Sequence, residues 1–130
     1  MSSFQTKTLT LDADVIAPDG SEVRLLAKGQ QGSMAHFSLK PGQVSKAVAH
    51  HTVEELWYVV GGAGEMWRKD HQGESIEKLQ AGVSLSIPVG THFQFRATSE
   101  TLQCVGVTMP SWPGVDEAFA VNGPWVAQLV

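Results

Sequence analysis

Gly42-Gln43-Val44-Ser45-Lys46-Ala47-Val48-Ala49-His50-His51-Thr52-Val53-Glu54-Glu55-Leu56-Trp57-Tyr58-Val59-Val60-Gly61-Gly62 is the stretch from which the rest of the chain can be read. Its second half runs from Glu55 to Val60 into Gly61-Gly62-Ala63-Gly64 and resumes at Glu65 to Arg68. That is the pattern of a hairpin with a glycine-permitted turn. Outward from it, apolar residues alternate with polar ones. Ala35, Phe37 and Leu39 share one face of a segment, with Met34, His36 and Ser38 on the other. Val83, Leu85 and Ile87 alternate with Ser84 and Ser86, and Val105, Val107 and Met109 repeat the spacing. Period two over four to eight residues indicates strands with one buried face. Further turns are expected near Asp70 to Gly73 and Thr98 to Glu100, and a short helical turn near Asp116 to Ala120. Turn signals thus recur about every ten residues, the spacing of an all-β sandwich or barrel.

The 130 residues fit a single domain spanning 1–130. Nine basic against 13 acidic side chains give a formal charge of -4. No Lys/Arg cluster occurs, so no nucleic-acid partner is expected. No apolar run approaches the roughly 18 residues that span a bilayer, so no membrane partner is expected either. Met1 to Thr10 lacks the basic start and apolar run of a signal peptide, and Cys104 is the sole cysteine. A cytoplasmic setting and a free thiol are the expectation. No GxSxG, P-loop or GxGxxG motif is present.

A closed sheet leaves an interior that is either filled or used as a pocket. The polar residues able to face inward then matter most. His50, His51, Glu54 and Glu55 lie together, and His92 and Gln94 follow Pro88-Val89-Gly90. Histidines with a carboxylate are a ligand set for zinc, iron, manganese, nickel or copper. They also supply a general acid/base pair without metal. The plain alternative is a solvent-facing strand end, where most polar residues sit.

The spacing of Gly42, His50, Glu55 and Gly62 resembles the first motif of the cupins. That motif is glycine, five residues, His-x-His, three or four residues, glutamate, six residues, glycine. Gly82, Pro88 and Gly90 resemble the glycine–proline skeleton of the second motif. Thr52 to Tyr58 and Thr108 to Gly114 look like segments of a small single-domain type-2 cupin group. The resemblance implies an all-β double-stranded β-helix, or jelly-roll barrel. Its core would be about 41–110, with N-terminal strands in 6–40 and a lid or anchor in 109–130. It implies a homodimer in which Thr6 to Ile16 joins the partner's sheet. It also implies a small-molecule ligand within the barrel, and a divalent transition metal serving oxygenase, isomerase or lyase chemistry. A sugar- or effector-binding module without turnover is the alternative.

The chain departs from the motifs at two ligand slots, which hold Val48 and Phe93. His50 and Glu55 keep theirs, and are the candidate catalytic pair. A one-residue adjustment would bring His51 and His92 to the metal with His50 and Glu55, and Gln94 beside them. Such a shift needs a bulge or bend, because it turns each side chain to the opposite face. Strict spacing instead sends Phe93 and Phe95 inward. Trp57 shares strand parity with Glu55, and Trp112 sits in a proline-stiffened segment able to cover the mouth. Trp57, Phe93, Phe95 and Trp112 are therefore the candidate substrate-binding residues.

Overall fold

The computed structural model describes residues 4–130. Its strands are β1 (Val15–Ile16), β2 (Glu22–Lys28), β3 (Ser33–Leu39), β4 (Val48–His50), β5 (Glu54–Gly61) and β6 (Ala63–Asp70). They continue as β7 (Gly73–Gln80), β8 (Ser84–Ile87), β9 (His92–Ala97), β10 (Leu102–Met109) and β11 (Ala118–Ala120). The helical turn expected over Asp116 to Ala120 overlaps a 3₁₀ turn, Val115–Glu117, only at Asp116 and Glu117; Ala118 to Ala120 form strand β11 instead. The strands form two antiparallel sheets, ordered β1-β2-β3-β10-β5-β8 and β11-β4-β9-β6-β7. Facing one another, they make an all-β jelly roll, the sandwich or barrel that the alternation points to in the form that the family resemblance implies.

The glycine run after β5 does something other than close a hairpin. β5 and β6 lie in different sheets, so the chain crosses the barrel at Gly62 instead of folding back. Gly62 has φ +86°, and a Cβ there would collide with the Thr101 carbonyl oxygen. A glycine permits either turn or crossover, and strand periodicity does not distinguish the two. The true hairpin is β6–β7, turned at Asp70 to Gly73, where Asp70 Oδ1 accepts the Gln72 amide at 2.8 Å.

Inward faces follow from the register. Phe37 and Val59 both pair with Cys104, Trp57 with Gly106, and Glu55 with Thr108. Leu102, Cys104, Gly106 and Thr108 are accordingly buried, whereas Val105, Val107 and Met109 turn outward. Along β10 the interior changes character. At the Leu102 end Leu39, Val59, Met66, Leu79 and Phe95 fill the barrel completely. Toward Thr108 the packing opens into a cavity. Burial raises the Cys104 thiol to about 12, which leaves it a small, inert core residue.

The N-terminal strand expected over Thr6 to Ile16 shrinks to Val15–Ile16. Residues 4–14 carry no strand, and part of this segment is tied to the chain's own β2. The Asp14 amide donates to Val23 O at 2.9 Å, and the Arg24 guanidinium donates to Thr10 O and Leu11 O at 2.8 and 2.6 Å. The alternation of Leu9 and Leu11 does not bury them; they are 48% and 91% exposed. At the other terminus the chain straps the outer face of the five-stranded sheet. There Gln94 donates to Ser45 O and Trp125 O at 2.8 and 2.9 Å. Gln94 Oε1 in turn accepts the Trp125 amide at 3.2 Å.

Candidate functional site

The cavity has a volume of ≈ 530 Å³ and opens between the two sheets. β5 and β4 supply its working residues from opposite sides. Glu55 alternates inward with Trp57 on β5, and His50 ends β4 on the same face as Val48. His50 Nδ1 and Glu55 Oε2 stand 3.9 Å apart, and both side chains are buried. Trp57 Nε1 donates to Glu55 Oε2 at 3.3 Å, a long bond. His50 Nδ1 has no hydrogen-bond partner. A buried unpaired nitrogen on a cavity wall is a group waiting for a ligand.

Aromatic rings make the rest of the wall. Trp57 stacks on Phe37 at 4.9 Å and meets Phe93 edge-on at 6.3 Å. The rings of Phe93 and Trp112 lie 5.3 and 5.1 Å from that of His50. Trp112 is held by its amide, which donates to Ser33 Oγ at 3.0 Å. Ser33 Oγ in turn shares a 2.6 Å hydrogen bond with Thr108 Oγ1. The proline-rich segment after β10 thus brings its indole over His50. Phe95 points inward too, but it packs against Trp57 in the filled part of the barrel and does not line the cavity.

The remaining candidates lie elsewhere. The strands keep the strict register, with no one-residue adjustment. His51 is exposed and stacks on Phe119 at 4.4 Å. His92 and Gln94 alternate with Phe93 and Phe95, so they face the outside of the five-stranded sheet, where Gln94 clamps the C-terminal strap. Asp19, from the β1–β2 loop, does line the cavity, buried at 6% exposure. As a single acidic residue in Pro18-Asp19-Gly20 it reads as turn punctuation. No local signal shows that this turn folds back onto the interior.

Burial sets the protonation of the pair. Desolvation, and then the nearby Asp19 charge, push Glu55 up to about 8, against a smaller opposing effect of the Trp57 hydrogen bond. Burial holds His50 below its usual value, partly countered by the Glu117 charge. Near neutral pH Glu55 is therefore a carboxylic acid beside a neutral imidazole.

A two-sheet barrel, filled at one end and open at the other around a buried acid and imidazole, defines a jelly-roll module with an internal cavity. The Cupin domain model matches residues 35–109, and the chain belongs to the cupin family. No curated protein matches it. Among solved structures it is similar to KdgF from Halomonas sp., with TM-score 0.69, 16% identity, and 84% of this chain and 97% of that one covered. It is also similar to oxalate decarboxylase from Bacillus subtilis, with TM-score 0.71, 18% identity, and 92% and 31% covered. The coconut allergen cocosin gives TM-score 0.68, 23% identity, and 80% and 30% covered. The chain thus spans under a third of the latter two proteins, and at these identities the likeness is one of fold.

The metal that the family resemblance implies finds a poor donor set here. His50 and Glu55 are its only residues in the motif slots, Val48 and Phe93 being unable to ligate. Among the described residues no three of His, Cys, Asp and Glu come together in a way that could hold a metal ion. Two protein ligands fall short of the three or four of a zinc site.

Proposed function

We propose that the chain is a small-molecule enzyme of the cupin type that moves protons inside the barrel without a metal, using Glu55 and His50. The single observation carrying this reading is the Glu55 carboxyl, held at about 8 on the cavity wall, 3.9 Å from an unpartnered His50 nitrogen. An acid or base works best with a pKa near the operating pH. Glu55 can protonate a carbonyl or hydroxyl oxygen, or as carboxylate take a proton from carbon. Neutral His50 serves as the second proton carrier. Such a pair serves a tautomerisation, epimerisation or dehydration, reactions that move protons with no metal. Phe37, Trp57, Phe93 and Trp112 would exclude water and hold the apolar part of the substrate.

The test is solvent deuterium incorporation, followed by NMR, into a panel of small carbonyl and hydroxy compounds in D₂O. The expected result is incorporation by the parent chain that falls at least a hundredfold in Glu55→Gln. Incorporation unaffected by that substitution would overturn the assignment. A ligand that binds in the cavity without any exchange would favour the non-catalytic binding module.

We further propose a cytoplasmic homodimer. Its support is the outer face of the six-stranded sheet, where Met34, Leu56, Tyr58 and Val60 are 38%, 52%, 50% and 46% exposed. No helix among the described residues is long and apolar enough to cross a membrane.

A further inference from the structure

Asp19 is a second buried carboxylate in the cavity, and proton transfer between Glu55, His50 and a substrate assigns it no task. Its Oδ1 accepts the Ser21 amide at 2.9 Å and the Ser21 hydroxyl at 2.7 Å, which fix the side chain against the cavity wall. Its charge is felt at Glu55 and makes ionisation there harder. The basic residues lining the cavity are Lys7 and Lys28, both exposed. Burial pushes the Asp19 carboxyl up, partly countered by its Ser21 hydrogen bonds and by the charge of Lys46, which is exposed and does not line the cavity. Two buried carboxylates therefore share one cavity with no interior cation among the described residues.

The hydrogen-bond inventory points the same way. Burial favours the protonated form of both carboxyls, and a cation supplies the counter-charge that lets them ionise; once ionised they only accept, and a neutral imidazole has one accepting nitrogen. Against these acceptors Glu55 receives one long donor from Trp57, and His50 Nδ1, 95% buried, receives nothing. A ligand completing this cavity must bring donors and positive charge. It must also bring an apolar body for Phe37, Trp57, Phe93 and Trp112.

We propose that the cavity selects a small organic cation, a protonated amine with an apolar body, with its ammonium taken by Glu55 and His50 Nδ1 and attracted by the charge of Asp19 on the same cavity wall. The proposal rests on Glu55 and His50 being the working end of the cavity, and adds to that reading a substrate class and a role for Asp19. Binding costs the proton that Glu55 holds near neutral pH, and the attraction of the cation to the carboxylates, strong because little water intervenes, offsets that cost. Aromatic walls favour a cation further. An anion meets the opposite field. Oxalate decarboxylase shares the fold, but a dianion such as oxalate would find no counter-charge beside Glu55 here.

The experiment is calorimetric titration of the full chain at pH 7 with benzylamine, benzyl alcohol and benzoate, which share a shape and differ in charge. The expected order is benzylamine at least tenfold tighter than benzyl alcohol, with benzoate weakest. Asp19→Asn should reduce the preference for benzylamine about tenfold and leave benzyl alcohol within about threefold. Should Asp19→Asn disturb the Ser21 turn and fail to fold, Glu55→Gln keeps that turn intact and must show the same reduction. Benzyl alcohol or benzoate binding as tightly as benzylamine overturns the proposal. So does an absence of benzylamine binding at millimolar concentration, or a preference unchanged in the variants. No turnover is involved, so the two readings fail separately. A lost cation preference with Glu55-dependent deuterium exchange sinks only the substrate class. An intact preference without that exchange sinks only the acid–base chemistry.

Discussion

Glu55 shows how burial converts an ordinary residue into a reactive one. Its usual value of 4.5 applies to the unfolded chain, while the folded chain holds it near 8. Between those values the folded state keeps a proton that the unfolded state releases, so stability falls as pH rises from about 4.5 to 8. Below that window both states are protonated and the residue contributes no slope. A tenfold change in proton affinity is worth about 1.4 kcal/mol, so the loss across the window is a few kcal/mol. Thermal denaturation at pH 5, 7 and 9 should show the parent losing stability relative to Glu55→Gln, with the variant the more stable of the two at pH 9. Parallel profiles would mean that Glu55 ionises normally and would remove the basis of its acid role. His50 and Glu55 were legible because their spacing to Gly42 and Gly62 resembles the first cupin motif. Asp19 was not, because its placement depends on where a loop lands and not on any spacing along the chain.

At the scale of elements, β10 and the segment after it shape the cavity. Gly106 faces inward, and a Cβ there would lie 2.8 Å from the Phe37 ring and 3.0 Å from Trp57. Gly106→Ala should push Trp57 off Phe37 into the cavity and cost roughly 1–3 kcal/mol, the range for overpacking a filled interior. Urea unfolding followed by tryptophan fluorescence reads both effects; an unshifted midpoint and spectrum would show that the stack has room to yield. Trp112 is only partly buried and is held through its backbone amide. Trp112→Ala should therefore weaken whichever of benzylamine and benzyl alcohol binds by fivefold or more, with the melting temperature within a few degrees of the parent. Unchanged affinity with a large loss of stability would make the segment an anchor instead of a lid. Alternation located these strands, since burial on one face leaves that trace. It did not give the inward face of β10, which carries apolar residues on both faces, nor the sheet to which β6 belongs.

For the whole molecule, the two outer sheet faces have different fates. The C-terminal strap covers one through Gln94, whose three hydrogen bonds tie Ser45 and Trp125 together. Gln94→Leu leaves the buried Ser45 carbonyl and the part-buried Trp125 groups unpaired and should cost about 1–3 kcal/mol. Because Gln94 faces away from the cavity, ligand affinity should stay within twofold; a larger change measured by calorimetry would tie the strap to the site. Among the described residues, the apolar face around Leu56 and Tyr58 has no such cover. Sedimentation equilibrium should return about twice the 14.0 kDa monomer mass, and Tyr58→Glu should return the monomer. A parent that sediments as a monomer at tens of micromolar ends the dimer proposal.

Glycines at set intervals and apolar residues at every second position determined the barrel from sequence alone. Both express local constraints, a backbone that must turn and a strand with one dry side. The resemblance of those intervals to the cupin motif singled out His50 and Glu55, which the fold turns inward. Only the tertiary structure decided that His51, His92 and Gln94 turn outward while Asp19 turns in. It also decided that a packed interior becomes a cavity beyond Gly106. Those outcomes depend on the register between strands far apart in the chain and on the field that buried charges impose on one another. Neither quantity is written in any single segment.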